Sequence, residues 1–389
     1  MKHLDSTQLI AMHAFLTRRQ DEILGSIAKL VETESPSGDF EGSSAVVDLL
    51  VEAAATIPGI SSVERISVPD YGEHLRVTAF DDHPEETGTT LVLGHTDTVH
   101  PRGTLRSQSV RAEGERLYGP GIFDMKASCV LALEALRTLS ALEFIPKRPV
   151  ILLLTCDEET GSLTGRQLVE EEARRAAQAL VLEPPAPGGQ VKTARKGAGM
   201  WKVMAHGIAA HAGLNPEAGA SAILELARQT YWFHSMREVS SGTSFNVGVV
   251  HGGTRGNVVA AEAEIDLDVR FRCMKEAQRV NELMSNLQPF DERVQLTVKG
   301  GINRGPLERT ADVVKLYHHA REIAAGLGFE LGEQSVGGAS DGNFVSAFNV
   351  PVLDGLGPDG DGAHAAHEHI LVSDVARRGA LLAGLVASL

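Results

Sequence analysis

Four short apolar segments constrain the fold of this chain more than any other feature. Each is continuously apolar rather than alternating, and they occupy residues 90–93, 150–154, 179–182 and 350–353. Continuous runs of this length are typical of β-strands that are buried on both faces, as in a parallel sheet. Residues 127–139 and 167–179 lie between such segments and have the apolar spacing of helices. The pattern therefore predicts an α/β domain with a doubly wound, mostly parallel sheet.

The middle of the chain follows a different pattern. Strand-like and helical segments occur in the order β-α-β-β-α-β, at residues 201–205, 216–236, 244–250, 264–271, 275–288 and 293–299. From Ile265 to Phe271, apolar residues alternate with charged ones, which predicts a sheet with one buried face and one exposed face. This order is that of the ferredoxin-like unit. We therefore predict a small α+β domain at residues 194–310, inserted into an α/β domain that comprises residues 1–193 and 311–389.

The overall composition argues against several classes of function. The chain has 389 residues, of which 22% are charged, and a formal net charge of −15. An acidic chain is a poor partner for nucleic acid or an anionic membrane, because both attract basic surfaces. Its cysteines, at positions 129, 156 and 273, are scattered and do not indicate a disulfide framework. No apolar leader follows Met1, and no apolar run reaches the roughly 18 residues of a membrane span, so we expect a cytoplasmic protein.

Side chains that bind metals follow the predicted strands at their carboxyl ends. The candidates are His95, Glu158, Glu159, Glu183 and His364. One more acid, Asp124, opens the predicted helix near residue 127 and joins this set. Ligands of open α/β sheets bind beyond the carboxyl ends of the strands, so we expect these side chains to meet. Each one alone has a simpler interpretation, as an acidic turn, a helix cap or a core histidine. Their coincidence at one edge of the sheet instead predicts a metal centre.

The types of ligand limit which metals fit. Two histidines and at least three carboxylates, without a thiolate, suit Zn²⁺, and also Co²⁺ or Mn²⁺, in a catalytic site. A catalytic ion takes about three protein ligands, so a set of five serves two ions if one carboxylate bridges them. That set comprises His95, Asp124, Glu159, Glu183 and His364. Asp97 is then placed to orient His95, and Glu158 is placed to act on a metal-bound water.

Several longer motifs occur in one order along nearly the whole chain. They are GHTDTVHP from Gly94, YGPGIFDMKAS from Tyr118, TCDEETGS from Thr155, LEP from Leu182, HAGLNPEAG from His211, GGTRGNVV from Gly252, GGASDGNF from Gly337 and GAHAAHE from Gly362. With these motifs the chain resembles the di-zinc exopeptidases and deacylases, a family that includes bacterial glutamate carboxypeptidase, acetylornithine deacetylase and succinyl-diaminopimelate desuccinylase. The segments LVLGHTDTV, RKGAG and LDGLGPDGDGAH are most similar to the glutamate carboxypeptidase branch.

The resemblance implies a role for each metal-centre residue. Asp124 would bridge the two ions, His95 and Glu183 would complete one site, and Glu159 and His364 would complete the other. Glu158 would be the general base and acid, acting on a water between the ions, and Asp97 would be the partner of His95. The inserted domain would be a lid and would form a homodimer. From that domain, the resemblance implies that His211 polarises the scissile carbonyl and that substrate contacts are made by Asn257, Arg270 and Arg304.

Other interpretations of individual residues stay open. Arg270 lies between acids and would equally form a surface ion pair. His367 and His369 compete with His364 as ligand, although His364 has the family's spacing to Glu368. Ser340 and Asp341 would either contact a substrate carboxylate or form a turn. Asp157 has no chemical task in this scheme.

The predicted function is hydrolysis of an amide bond. The first hypothesis is a carboxypeptidase that releases a C-terminal, glutamate-like amino acid from a short peptide or N-acyl substrate. In that case Arg304 or Arg270 would hold the substrate carboxylate. The second hypothesis is an N-acyl-amino-acid deacylase, which uses the same metals. The third is a non-catalytic binding protein on the same scaffold, which the complete ligand set and the presence of Glu158 argue against.

Overall fold

The computed structural model describes residues 4–82, 84–236 and 242–389. Residues 1–3, where we expect no leader peptide, lie outside this description. The chain divides into two compact units. Unit 1 comprises Met1–Ala194, Arg309–Val336 and Ser340–Leu389, and unit 2 comprises Arg195–Glu308 and Gly337–Ala339. Within the described ranges, no helix combines the length and the apolar character needed to cross a membrane.

Helices and strands alternate along most of the chain. The α-helices are α1 (Ser6–Arg18), α2 (Gln20–Glu32), α3 (Phe40–Ala54), α4 (Ala127–Ala141), α5 (Gly165–Ala173), α6 (Ala222–Ser235), α7 (Met274–Ser285), α8 (Ala311–Gly326), α9 (Gly342–Ser346) and α10 (Val372–Ser388). The strands are β1 (Ile60–Val68), β2 (Gly72–Ala79), β3 (Thr89–His95), β4 (Arg111–Glu113), β5 (Arg116–Tyr118), β6 (Val150–Thr155), β7 (Ala176–Val181), β8 (Val191–Arg195), β9 (Gly197–His206), β10 (Ser244–Gly252), β11 (Glu262–Phe271), β12 (Gln295–Arg304), β13 (Glu333–Val336), β14 (Val352–Leu353), β15 (Gly360–Asp361) and β16 (His369–Leu371).

The core of unit 1 is a six-stranded sheet with the order β1-β2-β6-β3-β7-β14. Strands β6, β3, β7 and β14 pair in parallel, whereas β2 is antiparallel to both of its neighbours. Every residue of β6 is buried, as its continuous apolar sequence predicts. Helices α3, α4 and α5 pack against this sheet, and α1, α4 and α10 pack against one another. The predicted α/β fold with a mostly parallel sheet is confirmed.

A second sheet in unit 1 joins two segments that lie far apart in the sequence. Its order is β15-β16-β5-β4, and every pairing in it is antiparallel. These strands have only two or three residues each, which is too short for a periodic signal in the sequence. Residues 119–126 follow β5, and residues 362–368 connect β15 to β16. The small sheet therefore places these two segments beside each other.

Unit 2 contains an antiparallel sheet with the order β10-β11-β9-β12. Helix α6 packs against β9, β10 and β11, and α7 packs against β11 and β12. The inward residues of β11 are buried, as their alternation predicts, namely Ile265, Leu267, Val269 and Phe271. The chain order of these elements is β-α-β-β-α-β, so the predicted ferredoxin-like unit is confirmed.

Some predicted element boundaries are wrong. The helix predicted at residues 167–179 ends at Ala173, and β7 begins at Ala176. Alanine favours helices, but here the parallel pairing of β7 with β3 and β14 overrides that preference. The helix predicted from residue 216 begins at Ala222, where Ser221 caps it by accepting the N–H of Leu224.

Candidate metal centre

Three strands bring ligands to the same edge of the large sheet. β3 and β6 pair in parallel, with His95 opposite Thr155. β7 lies on the other side of β3 and ends at Val181. Glu159 and Glu183 follow β6 and β7 within four residues of their ends. The ends of parallel strands meet at one edge, so these side chains emerge beside His95, as the sequence predicts.

Two further candidates come from the segments that the small sheet joins. Asp124 lies in a kinked turn, Ile122–Lys126, directly before α4. The sequence predicts that Asp124 opens a regular helix. This prediction is wrong, because the φ of −119° and the ψ of 89° at Asp124 are not helical. His364 lies in the loop between β15 and β16, where it has a left-handed φ of 64°.

The five predicted ligands form two groups that share Asp124. In the first half-site, His95 Nε2 lies 3.2 Å from Asp124 Oδ1 and 3.7 Å from Glu183 Oε1. In the second half-site, His364 Nε2 lies 3.4 Å from Asp124 Oδ2 and 3.2 Å from Glu159 Oε2. Within each half-site the three potential ligand atoms lie within 4.8 Å of one another. The two oxygens of the Asp124 carboxylate thus face different half-sites.

A carboxylate oxygen of the second half-site has the surroundings expected of a metal ligand. Glu159 Oε1 is buried and has no hydrogen-bond partner among the residues that the structure describes. A buried carboxylate oxygen without a partner is costly unless a positive charge satisfies it. Imidazole nitrogens and carboxylate oxygens are also the ligands that Zn²⁺, Co²⁺ and Mn²⁺ accept. The residues present therefore fit a pair of divalent ions, one in each half-site.

The charges of the centre perturb one another strongly. Hydrogen bonds to Asp124 and Glu159 raise the pKa of His364 to about 10. Burial alone would lower the pKa of His95, but hydrogen bonds with Asp124 and Asp97 outweigh burial and raise it well above its ordinary value. Burial would raise the pKa of Asp124, yet both histidines hold it well below its usual range. Perturbed groups clustered in this way are typical of functional sites.

Asp97 connects the first half-site to the acidic turn that carries Glu158 and Glu159. Its carboxylate accepts the backbone N–H of Glu158 at 3.2 Å, that of Glu159 at 3.2 Å, and the Ser37 hydroxyl at 2.6 Å. His95 Nδ1 lies 3.0 Å from the Asp97 carbonyl oxygen and 3.4 Å from its carboxylate. Asp97 is placed to orient His95, and it also fixes the backbone of both glutamates.

Asp157, for which the sequence indicated no chemical role, connects the same turn to the start of α5. It is fully buried, and its carboxylate accepts N–H groups from Thr164 at 2.6 Å and Gly165 at 3.1 Å, at the start of α5. It also accepts the Thr164 hydroxyl at 2.9 Å. A carboxylate at a helix N-terminus satisfies free N–H groups and the helix dipole.

A buried histidine that the sequence analysis missed completes this support. His74 Nδ1 accepts the N–H of Cys156 at 3.1 Å, and Nε2 lies 3.0 Å from the Thr164 hydroxyl. His74, Cys156 and Asp157 could in principle hold a metal. Both nitrogens of His74 and both oxygens of Asp157 already have protein partners, so this cluster is a structural support.

Asp341 and Ser340 are also buried. Asp341 accepts hydrogen bonds from Thr155, at 3.1 Å, and from Ser162, on the two sides of the acidic turn. The Ser340 hydroxyl donates to Asp354 at 2.7 Å. Of the two interpretations left open by the sequence, these contacts favour the structural one.

His364 is favoured over its two neighbours as the ligand. His369 is buried, with Nδ1 2.9 Å from the carbonyl oxygen of His367 and its ring 5.0 Å from that of Tyr118. His367 is exposed. Within the described ranges, neither residue joins a group that could hold a metal, whereas His364 does.

The remaining predicted site residues belong to unit 2. His211 and Asn257 are exposed, and Arg304 is buried with 5% exposure. Arg270 pairs with Asp268 through two hydrogen bonds of 2.8 Å, which is the surface ion pair that the sequence left open. The substrate contacts implied for these residues stay predictions, as do the individual roles of the ligands.

Comparison with known proteins identifies the family. The profile of "Peptidase family M20/M25/M40" matches residues 91–388. This chain belongs to that family. The resemblance inferred from the motifs is therefore confirmed. As a member of this family, the protein is a metal-dependent hydrolase of the peptidase or deacylase type. Enzymes of this family depend on a dinuclear metal centre.

Individual relatives cover most of the chain. Carboxypeptidase G2 from Pseudomonas sp. (strain RS-16) is 28% identical over 96% of this chain and 90% of its own length. A succinyl-diaminopimelate desuccinylase from Verminephrobacter eiseniae is 30% identical over 76% of this chain and 77% of its own. The crystal structure of aminopeptidase PepT from Bacillus cereus superposes with a TM-score of 0.77 at 21% identity, over 95% of this chain and 98% of that one. The last likeness concerns the fold alone.

Proposed function

We propose that this protein is a carboxypeptidase that uses two divalent ions, Zn²⁺ in the first place and Co²⁺ or Mn²⁺ as alternatives, to release a C-terminal, glutamate-like amino acid. The observation that carries the proposal is the position of the Asp124 carboxylate, with one oxygen facing each half-site. A shared carboxylate is typical of two-metal hydrolases. Carboxypeptidase G2 matches 96% of the chain, which favours this activity over its alternatives.

The alternative is an N-acyl-amino-acid deacylase. The succinyl-diaminopimelate desuccinylase relative supports it, although that match covers only 76% of the chain. Both reactions cleave an amide bond and need the same ligands. They differ in the pocket that receives the group on either side of that bond.

The metal ions, when bound by the two half-sites, would supply Lewis acidity toward water and the scissile carbonyl. Glu158 follows the ligand-bearing strand β6, and the contact of its N–H with Asp97 fixes its backbone. In the proposed mechanism Glu158 takes a proton from the attacking water, whose oxygen bonds to the carbonyl carbon. When the C–N bond breaks, Glu158 gives that proton to the leaving amine.

His211 is suited to donate a hydrogen bond to the carbonyl oxygen. Its Nδ1 accepts the N–H groups of Gly213 at 3.1 Å and Leu214 at 3.2 Å. The proton of the neutral ring therefore resides on Nε2, which is then a donor. Such a donor stabilises negative charge that develops on a carbonyl oxygen. We propose that Arg304 or Arg270 holds the substrate carboxylate.

The adjacent glutamates allow a matched test of the mechanism. Glu158→Gln should retain both ions and lower kcat by at least about 100-fold, since it removes the proton carrier. Glu159→Gln, one residue away, should instead lower the metal content, because Glu159 is a ligand. Metal content by plasma mass spectrometry and initial rates would be measured for both variants. Near-parental turnover in Glu158→Gln would refute the assigned role.

A substrate panel distinguishes the two activities. Purified protein with added Zn²⁺ or Co²⁺ would be assayed on N-acyl glutamates, N-acyl neutral amino acids, short peptides and N-acetyl or N-succinyl diamino acids. A carboxypeptidase should prefer a free C-terminal glutamate whatever the acyl group. Preference for one acyl group, with indifference to the amino acid, would favour the deacylase instead.

We also propose that unit 2 forms a homodimer. Apolar side chains are exposed on α6 and on the edge strand β10, namely Ile223, Leu224, Tyr231, Val249 and Val250. Exposed apolar patches and unpaired strand edges are both common at protein interfaces. Light scattering should give twice the mass of the chain, and Tyr231→Glu should shift the mass toward that of one chain. A monomeric parent protein would overturn this proposal.

A further inference from the structure

A buried carboxylate outside the ligand set contacts the segment that carries Asp124. Glu368 is 2% exposed and lies four residues after His364, in the same loop. Its Oε1 accepts the backbone N–H groups of Phe123 at 2.9 Å and Asp124 at 3.0 Å. Its Oε2 accepts the N–H of Gly121 at 2.8 Å. Three backbone N–H groups of one short segment thus converge on this carboxylate.

The local backbone makes this convergence possible. Gly121 has a φ of +71°, and a Cβ at this position would lie 2.3 Å from Thr98 Cγ2, so a glycine is needed here. Successive N–H groups in such a turn form a concave site for an anion. Here the anion is the Glu368 side chain. The turn that carries Asp124 is therefore built around a carboxylate from the His364 loop.

His100 completes the arrangement on the outer side. Its Nε2 lies 2.7 Å from Glu368 Oε2. An ionised carboxylate only accepts hydrogen bonds, so His100 Nε2 is the donor. Hydrogen bonds to charged groups are stronger than neutral ones and fix direction well. Glu368 thereby joins three segments, those around residues 100, 121–124 and 364–368.

We propose that Glu368 is a positioning residue that sets the distance between the two half-sites. Asp124 is the ligand common to both, and Glu368 holds its backbone from a loop whose other end carries His364. A displaced Asp124 would move away from His95 and His364 together, so both ions would bind more weakly. This inference rests on the proposed two-metal centre, but it does not depend on which substrate the enzyme cleaves.

A purely structural role would have a different consequence. A buried, hydrogen-bonded carboxylate stabilises the fold wherever it lies, and its loss lowers the free energy of unfolding. A positioning residue also changes the metal affinity of molecules that remain folded. Metal affinity measured well below the melting temperature therefore separates the two roles.

The test uses Glu368→Gln in the full chain. The amide keeps the shape of the side chain and one acceptor oxygen. Its NH₂ group would face the N–H of Gly121, and two donors cannot form a hydrogen bond with each other. Titration with Co²⁺, followed by calorimetry and by the visible absorption of the bound ion, should show both affinities lowered by about 10- to 100-fold. The absorption bands of bound Co²⁺ should also shift, because the geometry of the ligands changes.

Glu172→Gln is the matched control. Glu172 is fully buried as well, but it lies on α5 and pairs with Arg76 at 3.1 Å and Arg175 at 2.5 Å. Its substitution should lower the melting temperature and leave both Co²⁺ affinities unchanged. Parental affinities in Glu368→Gln, with a stability loss like that of Glu172→Gln, would overturn the proposal.

His100→Gln provides a second variant if Glu368→Gln does not fold. His100 is only partly buried, and its removal leaves the three backbone contacts of Glu368 in place. We expect a several-fold loss of Co²⁺ affinity, and unchanged affinity would overturn the proposal. A parent protein that binds no Co²⁺ would overturn the metal centre and this inference together. A parent that binds two ions but cleaves no panel substrate would refute only the proposed function, and the affinities would still decide the role of Glu368.

Discussion

At the scale of single residues, Asp124 is the side chain on which both half-sites depend. Asp124→Asn replaces one carboxylate oxygen by an NH₂ group, which cannot bind a metal, so we expect the content of both ions to fall. Glu183→Gln changes only the first half-site and should lower the content from about two ions to about one. Metal analysis after dialysis would measure both variants. Two bound ions in Asp124→Asn would show that its carboxylate does not bridge.

The grouping of the candidate ligands could be predicted from the sequence, but the residues that support them could not. His95 ends β3, and Glu159 and Glu183 come within four residues of the ends of β6 and β7, so the pattern of strands places them at one edge. Asp157 and Glu368 hold the ligand-bearing segments through backbone N–H groups. Every residue except proline offers a backbone N–H, so the residue types do not reveal such a contact. Only the folded backbone shows which segment a buried carboxylate faces.

At the scale of elements, the junction between the acidic turn and α5 is unusually close. Gly165 is the first residue of α5, and a Cβ there would lie 2.8 Å from Asp157 Oδ1 and 2.9 Å from Thr155 Cγ2. Alanine normally stabilises a helix relative to glycine. Here we expect Gly165→Ala to destabilise the protein by about 1–3 kcal/mol, because both neighbours are buried and overpacking is costly.

Gly25→Ala is the control for this prediction. Gly25 is exposed inside α2, and apart from the adjacent backbone of α2 no atom of the described residues lies within 4 Å of the position that its Cβ would occupy. This substitution should stabilise the protein by about 0.5–1 kcal/mol. Urea unfolding of both variants would measure the changes. A stabilised Gly165→Ala would contradict the close packing described for the junction.

The type of each long element could be predicted, whereas its ends depend on contacts that the sequence does not show. Continuous apolar runs identified β3, β6 and β7, and alternation identified β11, because burial on two faces or one leaves different patterns. The helix predicted at residues 167–179 was too long because residues 176–179 have helix-forming composition but pair with β3. The two- and three-residue strands of the small sheet have no pattern at all, yet they bring Asp124 and His364 together.

At the scale of the whole molecule, the predicted chemistry divides between the two units. All five ligands belong to unit 1, whereas His211, Asn257, Arg270 and Arg304 belong to unit 2. Each unit has its own hydrophobic core. The candidate metal ligands therefore all lie in unit 1, and the residues proposed for substrate contacts all lie in unit 2. On this proposal, substitutions in unit 2 would change the substrate specificity without loss of the metal centre.

Acid stability is a further property of the whole molecule, and it depends in part on His74. Burial lowers the pKa of His74 below its ordinary value, while the charges of Asp157, Asp341 and Asp97 oppose this shift. A histidine that is neutral when folded but titrates normally when unfolded stabilises the protein fully above a pH of about 6.5. As the pH falls below that value, the unfolded chain takes up a proton that the folded chain does not, so stability is lost.

His74→Gln should remove this contribution. The variant should be less stable at pH 8, because the contacts with Cys156 and Thr164 change, but its stability should fall less steeply between pH 6.5 and 5. The difference between parent and variant approaches about 1.4 kcal/mol per pH unit for one proton. Urea unfolding across this range in a chelator would measure it, so that metal release does not contribute. The exposed His234→Gln controls for the loss of an imidazole, and equal slopes for parent and His74→Gln would show that His74 does not resist protonation in the fold.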